Sequence, residues 1–281
     1  MKKLYTAVIA LLIAGSSLTT QAQVEMPQAS SSQKVVQDFG LGKITVTYSR
    51  PNTKGRKIFG ALEPYGKVWR TGANNATVLS FTDEVSIEGN KVPAGDYALF
   101  TIPGASEWTI ILNKTTKQWG AYDYKQADDF LRFKVKPAKT TALTETFTID
   151  FADVKATTAE MHLRWENTNV VLHLKTDIDA RVMASIDEAM KAQKKPYFAA
   201  ALYYYENNKD LNKALEWITE AEKSAPKATY FKYWKARIQL KMGNKAAAIA
   251  TAQEGARLAK EENNEEYVRL NEGVVKQARD S

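Results

Sequence analysis

MHLRWENTNVVLHLKTDIDARVM, residues 161–183, holds the turning point of the chain. In its first part Met161, Leu163 and Trp165 alternate with polar residues, the period of a strand with one buried face. Val170, Leu172 and Leu174 alternate as well, but in the opposite parity. Two antiparallel strands bring both sets to one face only if odd positions face even ones, which a two-residue loop provides. A loop at Asn167-Thr168 sets His162 directly opposite His173 on the outer face, and a loop at Thr168-Asn169 sets them diagonally. At Asp177 the alternation stops. Ala, Lys, Glu, Gln and Leu at helical spacing take over, with Asp177 or Asp179 placed to cap a helix running to about residue 193.

Upstream the strand period recurs. Ile44-Val46-Tyr48 and residues 77–81, 85–87, 97–102, 108–112, 131–135 and 147–151 read as strands. Glu88-Gly89-Asn90-Lys91 and Pro93-Ala94-Gly95-Asp96 read as turns. Such a series predicts an antiparallel β-sandwich or jelly-roll-like domain over residues 34–176. A polar, flexible lead-in precedes it at residues 23–33, with Pro27 and Ser30-Ser31-Ser32.

Downstream, residues 177–281 read as all-α, with Pro196 opening a second helix and further helices over 197–206, 211–223, 228–242, 245–261 and 265–278. Ala214 and Ala248, Leu215 and Ile249, Ala221 and Gly255, and Tyr233 and Tyr267 stand 34 residues apart. That period, with small residues where paired helices touch, is the tetratricopeptide signature. Tyr205, Ala214, Ile218, Ala221 and Pro226 fit the first repeat, and Gly243, Ala248 and Ile249 the second. Ala201-Leu202 replaces the usual Leu-Gly, and Lys260 stands where a proline is common. The chain is therefore read as an α+β two-domain protein, its β domain followed by tetratricopeptide-like helical hairpins.

Residues 1–22 have the form of a secretory signal. Lys2 and Lys3 precede the apolar run from Leu4 to Ala14, with Thr20 and Ala22 suited to a cleavage site. The run is too short to span a bilayer comfortably. A periplasmic or secreted protein without a transmembrane segment in the mature chain is expected. The sequence contains no cysteine, which excludes disulfides, a lipidated N-terminal cysteine and zinc–thiolate sites. Without Lys2 and Lys3 the formal charge falls from +7 to +5, with no dense basic stripe, so no nucleic-acid partner is expected.

Residues 48–77, YSRPNTKGRKIFGALEPYGKVWRTGANNAT, fit neither a strand nor a helix. Arg50, Lys54, Arg56, Lys57 and Arg70 are set among four glycines, with Asn74 and Asn75 following and Phe59, Tyr65 and Trp69 as apolar anchors. This is the pattern of an ordered loop pinned by aromatics, presenting backbone N–H groups, guanidinium and carboxamides to an oxyanion or a sugar hydroxyl. In the structural alternative, Arg50 and Arg70 pair with acids such as Glu63, Asp83 or Asp128, and the amides satisfy loop backbone.

The run also resembles a bacterial family known only as domain of unknown function 2911. The likeness is carried by YSRP, KGR, IFG, PYG and VWRTGAN within residues 48–77, and by residues 93–103. It extends to Trp108, Asn113, Trp119-Gly120 and Trp165-Glu166, over roughly residues 33–175. The resemblance implies an exported protein of Gram-negative bacteria, often followed by helical repeats. It implies no activity, substrate or catalytic residue. Where this chain has Glu63 the family more often has an apolar residue, a difference read as lying on the surface.

The candidate ligand-binding residues are Arg50, Lys54, Arg56, Trp69, Arg70, Asn74, Asn75 and Trp119, for an anionic or carbohydrate small ligand. Trp108 and Trp165 alternate in phase with core residues and are expected to be buried. His162 and His173 are the sole histidines and would need further ligands to hold zinc; a solvated cross-strand pair is the plainer reading. No G-x-S-x-G elbow follows the signal. Asp123, Asp128 and Asp129 share one loop, where turn capping and pairing with Arg132 account for them better than glycosidase geometry. No motif implies a cofactor. The expected function is exported, non-enzymatic binding, with the helical tail meeting a protein or peptide. The rivals are a hydrolase or carbohydrate-active enzyme built on the same loops, and a protein whose helical tail alone carries function.

Overall fold

In the computed structural model, which describes residues 26–281, the alternating positions become the inner faces of two antiparallel sheets. The signal-like residues 1–22 lie outside the described residues. The chain divides into two compact units, one ending at Asp177 and the other beginning at Ile178.

The first sheet has the order β1-β2-β3-β6-β7-β8, formed by Ser31–Phe39, Gly42–Arg50, Thr77–Phe81, Gly95–Ile102, Trp108–Asn113 and Asp129–Val135. The second has the order β5-β4-β10-β9, formed by Asn90–Val92, Val85–Ile87, Thr158–Lys175 and Ala138–Ala152. Val46, Leu79, Leu99 and Ile110 from the first sheet share one buried cluster with Ile87, Ile149, Leu163 and Leu172 from the second. Ser31 to Gln33, read above as lead-in, belong to β1, which pairs with β2 along its whole length from Ser31↔Arg50 to Phe39↔Gly42. Its polar sequence hid it: β1 is an edge strand held by backbone bonds, with most side chains outside the core. The turn at residues 88–91 is tighter than expected. Glu88 and Gly89 both take positive φ, 49° and 80°, as a two-residue hairpin loop requires, leaving Asn90 and Lys91 in β5.

β10 doubles back on itself. The Thr176 N–H donates to the Thr157 carbonyl at 3.0 Å, and His173 Nε2 lies 3.7 Å from Glu160 Oε1. Along a straight strand those two side chains would stand about 40 Å apart. This places the turn near Glu166, which is in the left-handed region at φ 54°. The odd-to-even pairing holds, and Met161, Leu163, Trp165, Val170, Leu172 and Leu174 are all buried. The register differs from both expected ones, so Glu160, not His162, faces His173. The Asn167 side chain is occupied elsewhere, donating to the Thr140 carbonyl at 3.1 Å.

The second unit contains six helices among the described residues: α1 (Asp179–Ala189), α2 (Tyr197–Glu206), α3 (Leu211–Ser224), α4 (Thr229–Lys241), α5 (Lys245–Glu261) and α6 (Glu265–Asp280). Asp210, Asn244 and Asn264 cap α3, α5 and α6 by accepting from the N–H groups of Asn212, Ala247 and Tyr267. Ala214 and Ala248 are fully buried. At Gly255 an added Cβ would meet Asn271 Oδ1 of α6 at 2.5 Å, so the α5–α6 approach requires glycine there. Arg237 of α4 donates to the hydroxyls of Tyr205 (α2) and Tyr233 at 3.1 and 2.9 Å and lies 5.0 Å from the Trp234 ring centre. It ties α2 to α4 through hydrogen bonds and cation–π attraction together.

The segment joining β2 to β3, residues 51–76, closes one end of the two-sheet unit. Ile58, Phe59 and Trp69 enter the core from it, while Tyr65, expected as an anchor, is exposed and lies over Gly60. Trp69 stacks on Trp165 at 5.7 Å and 18°, and meets Phe147 edge-on at 5.1 Å; Phe59 meets Trp108 edge-on at 4.8 Å. Trp69 Nε1 donates to the Gly72 carbonyl at 3.0 Å, so burying the indole leaves no donor unpaired. Trp69→Ala is expected to destabilise the N-terminal unit by about 3–5 kcal/mol in urea denaturation. Trp119→Ala, on the surface, should stay within about 0.5 kcal/mol of the parent.

Candidate functional site

Because Phe59 and Trp69 are fixed, the polar residues around them are fixed too. The Trp69 N–H donates to the Thr101 carbonyl at 2.7 Å, and the Thr101 N–H returns a bond to Trp69 at 2.9 Å, welding the loop to β6. Thr71 is buried with φ 56°, unfavourable for a β-branched residue, and is held by its hydroxyl on Thr101 Oγ1 at 3.1 Å and by Thr77 Oγ1 on its carbonyl. Gly72 follows, where a Cβ would come 2.9 Å from the Ser49 carbonyl. Lys54 and Asn74 are also left-handed, at φ 50° and 59°. At the other end of the loop, Glu145 of β9 accepts from Thr53 Oγ1 and, at 2.8 Å, from the Lys54 N–H. These bonds hold its carboxyl below the ordinary carboxylate range.

The eight candidate residues do not converge on one recess. Lys54, Arg56 and Arg70 line a cavity of about 310 Å³ together with Asn52, Leu62 and Glu63. Asn75 and Trp119 line a separate cavity of about 400 Å³ with Ser32, Ser49, Thr116 and Lys117. Arg50 lines neither: its Nε donates to the Phe147 carbonyl at 3.0 Å and its Nη2 to Thr148 Oγ1 at 2.7 Å, joining β2 to β9. Asn74 supports the loop, donating weakly to Ser49 Oγ at 3.4 Å and accepting from the Gly120 N–H through its carbonyl. Trp69 is 2% exposed and therefore no ligand platform; Trp119 is 61% exposed. Trp108 and Trp165 are buried, in keeping with their alternation.

The arginine–acid pairing of the structural alternative is not found for Arg50, whose partners are neutral oxygens. Asp128 accepts from Thr115 Oγ1, and it is Asp129 that faces Arg132, at 3.5 Å, while also accepting from Tyr124 and Asn113. His162 lies 3.0 Å from Glu160 and His173 2.8 Å from Glu88, so both histidines are engaged with carboxylates. Among the described residues no group of three or more His, Cys, Asp or Glu could hold a metal ion.

Glu63 is the site residue the sequence reading set aside. Its backbone is tied into a tight turn, with its N–H on the Ile58 carbonyl at 3.0 Å and its carbonyl accepting from Gly60 at 2.9 Å. The side chain is half-buried in the cationic recess and makes no hydrogen bond or ion pair within 4 Å among the described residues. Burial pushes its carboxyl up to about 7, against a smaller opposing pull from Arg70. Arg70 is incompletely partnered as well: its Nε is buried with no acceptor among the described residues. A cationic recess therefore holds a carboxyl that changes charge near neutral pH, beside a guanidinium N–H with nothing to donate to.

The sign of the Glu63 effect on stability follows. The native carboxyl keeps its proton above the ordinary value of 4.5, so stability is highest below that pH and is lost as pH rises through about 7. Glu63→Gln imitates the protonated form. The variant should match the parent at pH 4 and exceed it by about 3 kcal/mol at pH 8 in urea titrations.

No helix among the described residues is long and apolar enough to cross a membrane. No curated protein and no solved structure matches the chain. A match to the family described as protein of unknown function (DUF2911) spans residues 30–174, which takes in both sheets and both recesses. The chain belongs to the DUF2911 family.

Proposed function

We propose that this is an exported, non-enzymatic binding protein whose β domain takes a small anion in the recess lined by Lys54, Arg56, Glu63 and Arg70. One observation carries the reading: the buried, unpartnered Nε of Arg70 beside a carboxyl that no cation neutralises at close range. A buried donor without an acceptor costs roughly 1–3 kcal/mol, and a ligand oxyanion would recover it. Lys54 and Arg56 add positive potential, and a protonated Glu63 would donate to the same ligand. Such a ligand binds more tightly below pH 7 than above it.

Other parts of the reading rest on pattern. The two facing sheets are a sandwich in this account, with residues 51–76 as its lid. The helical unit is tetratricopeptide-like, supported by starts of α3 and α5 that lie 34 residues apart and by buried small residues at the repeated positions. A peptide or protein is its proposed partner. Export to the periplasm or beyond rests on the sequence of residues 1–22.

The rival reading, a hydrolase or carbohydrate-active enzyme, draws on the divergent carboxyls, Glu63 raised and Glu145 lowered. Against it, both oxygens of Glu145 are committed to the Thr53–Lys54 turn, and Glu145 does not line the recess.

Thermal unfolding with sulfate, phosphate and citrate at pH 6 tests the proposal. Sulfate and phosphate stabilise proteins generally by exclusion from the surface, so the comparison with Arg70→Ala decides. At 100-fold excess over the dissociation constant the parent should gain on the order of 5 °C or more in melting temperature beyond the gain of the variant. Equal gains in both proteins would refute anion binding at Arg70.

A further inference from the structure

The Trp119 recess differs chemically from the Arg70 recess, and from it we infer a second site that binds a carbohydrate ring stacked on the Trp119 indole. Trp119 is 61% exposed, yet its backbone is bonded into the fold. It forms a β-bridge with Asn75, and its neighbours are bonded on either side, the Ala76 N–H to the Gln118 carbonyl and the Gly120 N–H to the Asn74 carbonyl, both at 2.9 Å. Gln118 anchors the segment from below: it is buried, and its Nε2 donates to the Thr115 carbonyl at 2.5 Å and to Asn113 Oδ1 at 3.3 Å. A large indole displayed to solvent on a rigid mount is a preorganised platform rather than a loose loop tip.

The lining identifies the ligand class. The cavity of about 400 Å³ presents hydroxyls and amides from Ser32, Thr47, Ser49, Asn75 and Thr116, with one cation, Lys117, and no carboxylate. A purely apolar ligand would leave those hydroxyls and amides unpaired. A multiply charged anion would find a single countercharge here and three in the neighbouring recess. A sugar ring meets both requirements: its C–H face covers the indole, and its equatorial hydroxyls donate to and accept from Ser, Thr and Asn side chains. This site shares no lining residue with the Arg70 recess, although Arg70 Nη1 lies 3.6 Å from where a Cβ would stand on Gly120, next to Trp119.

Isothermal titration of the full chain with cellohexaose, laminarihexaose, maltohexaose and chitohexaose provides the test. At least one is expected to bind saturably. Trp119→Ala should weaken that binding at least tenfold without changing the melting temperature, and Asn75→Ala should weaken it severalfold. The inference is overturned if none of the four binds, if Trp119→Ala binds as the parent does, or if Arg70→Ala abolishes binding that Trp119→Ala spares.

Discussion

The stacking of Trp69 on Trp165 between the two sheets is the constraint from which the rest of the β unit follows. A long excursion between adjacent antiparallel strands would ordinarily be mobile, because its backbone has no ladder to join. Here Ile58, Phe59 and Trp69 are buried with Trp108 and Phe147, and the loop inherits the rigidity of the core. Three non-glycine residues, Lys54, Thr71 and Asn74, are held in the left-handed region on that foundation. Such conformations cost free energy and persist only where surroundings over-determine them. The aromatic plug supplies that over-determination.

Rigidity explains why Arg70 and Glu63 can share a recess without pairing. Two flexible side chains of opposite charge would close into an ion pair, and the acid would then titrate below the ordinary carboxylate range. Glu63 instead sits in a closed turn between Ile58 and Pro64, and the Arg70 guanidinium lies against Gly120, with Nη1 3.6 Å from where a Cβ would stand there. The same strand of loop that carries Arg70 into one cavity carries Asn75 into the other. One ordered segment thus lines both a recess with three cations and a hydroxyl-lined one with a single cation.

Much of the fold is legible in the residues. The parity switch between Met161-Leu163-Trp165 and Val170-Leu172-Leu174 dictates a tight reversal, and the chain doubles back between them. Its exact position escapes periodicity, because the choice of Glu166 as the left-handed residue depends on contacts with β9. The helices are readable from their spacing and from Pro196, though the helix after Asp177 has Asp179 as its first residue and ends at Ala189, short of residue 193. β1 is not readable, since an edge strand draws on backbone bonds to β2 and needs few apolar residues. Within residues 48–77 the residue types do not reveal which side chains serve packing. Trp69 and Arg50 carry the same residue types that bind ligands, and only burial and hydrogen-bond partners separate the uses. Nothing in the residues around Glu63 marks it as a desolvated acid; only its burial in the recess does.

The account rests most heavily on Glu63 and Arg70 lying together unpaired, and direct titration of the Glu63 side-chain carboxyl by carbon-13 NMR in the ligand-free protein measures that. A midpoint about 7 is predicted. A midpoint at or below the ordinary 4.5 would mean that the carboxylate is solvated or bound to a cation, and would contradict the proposed site.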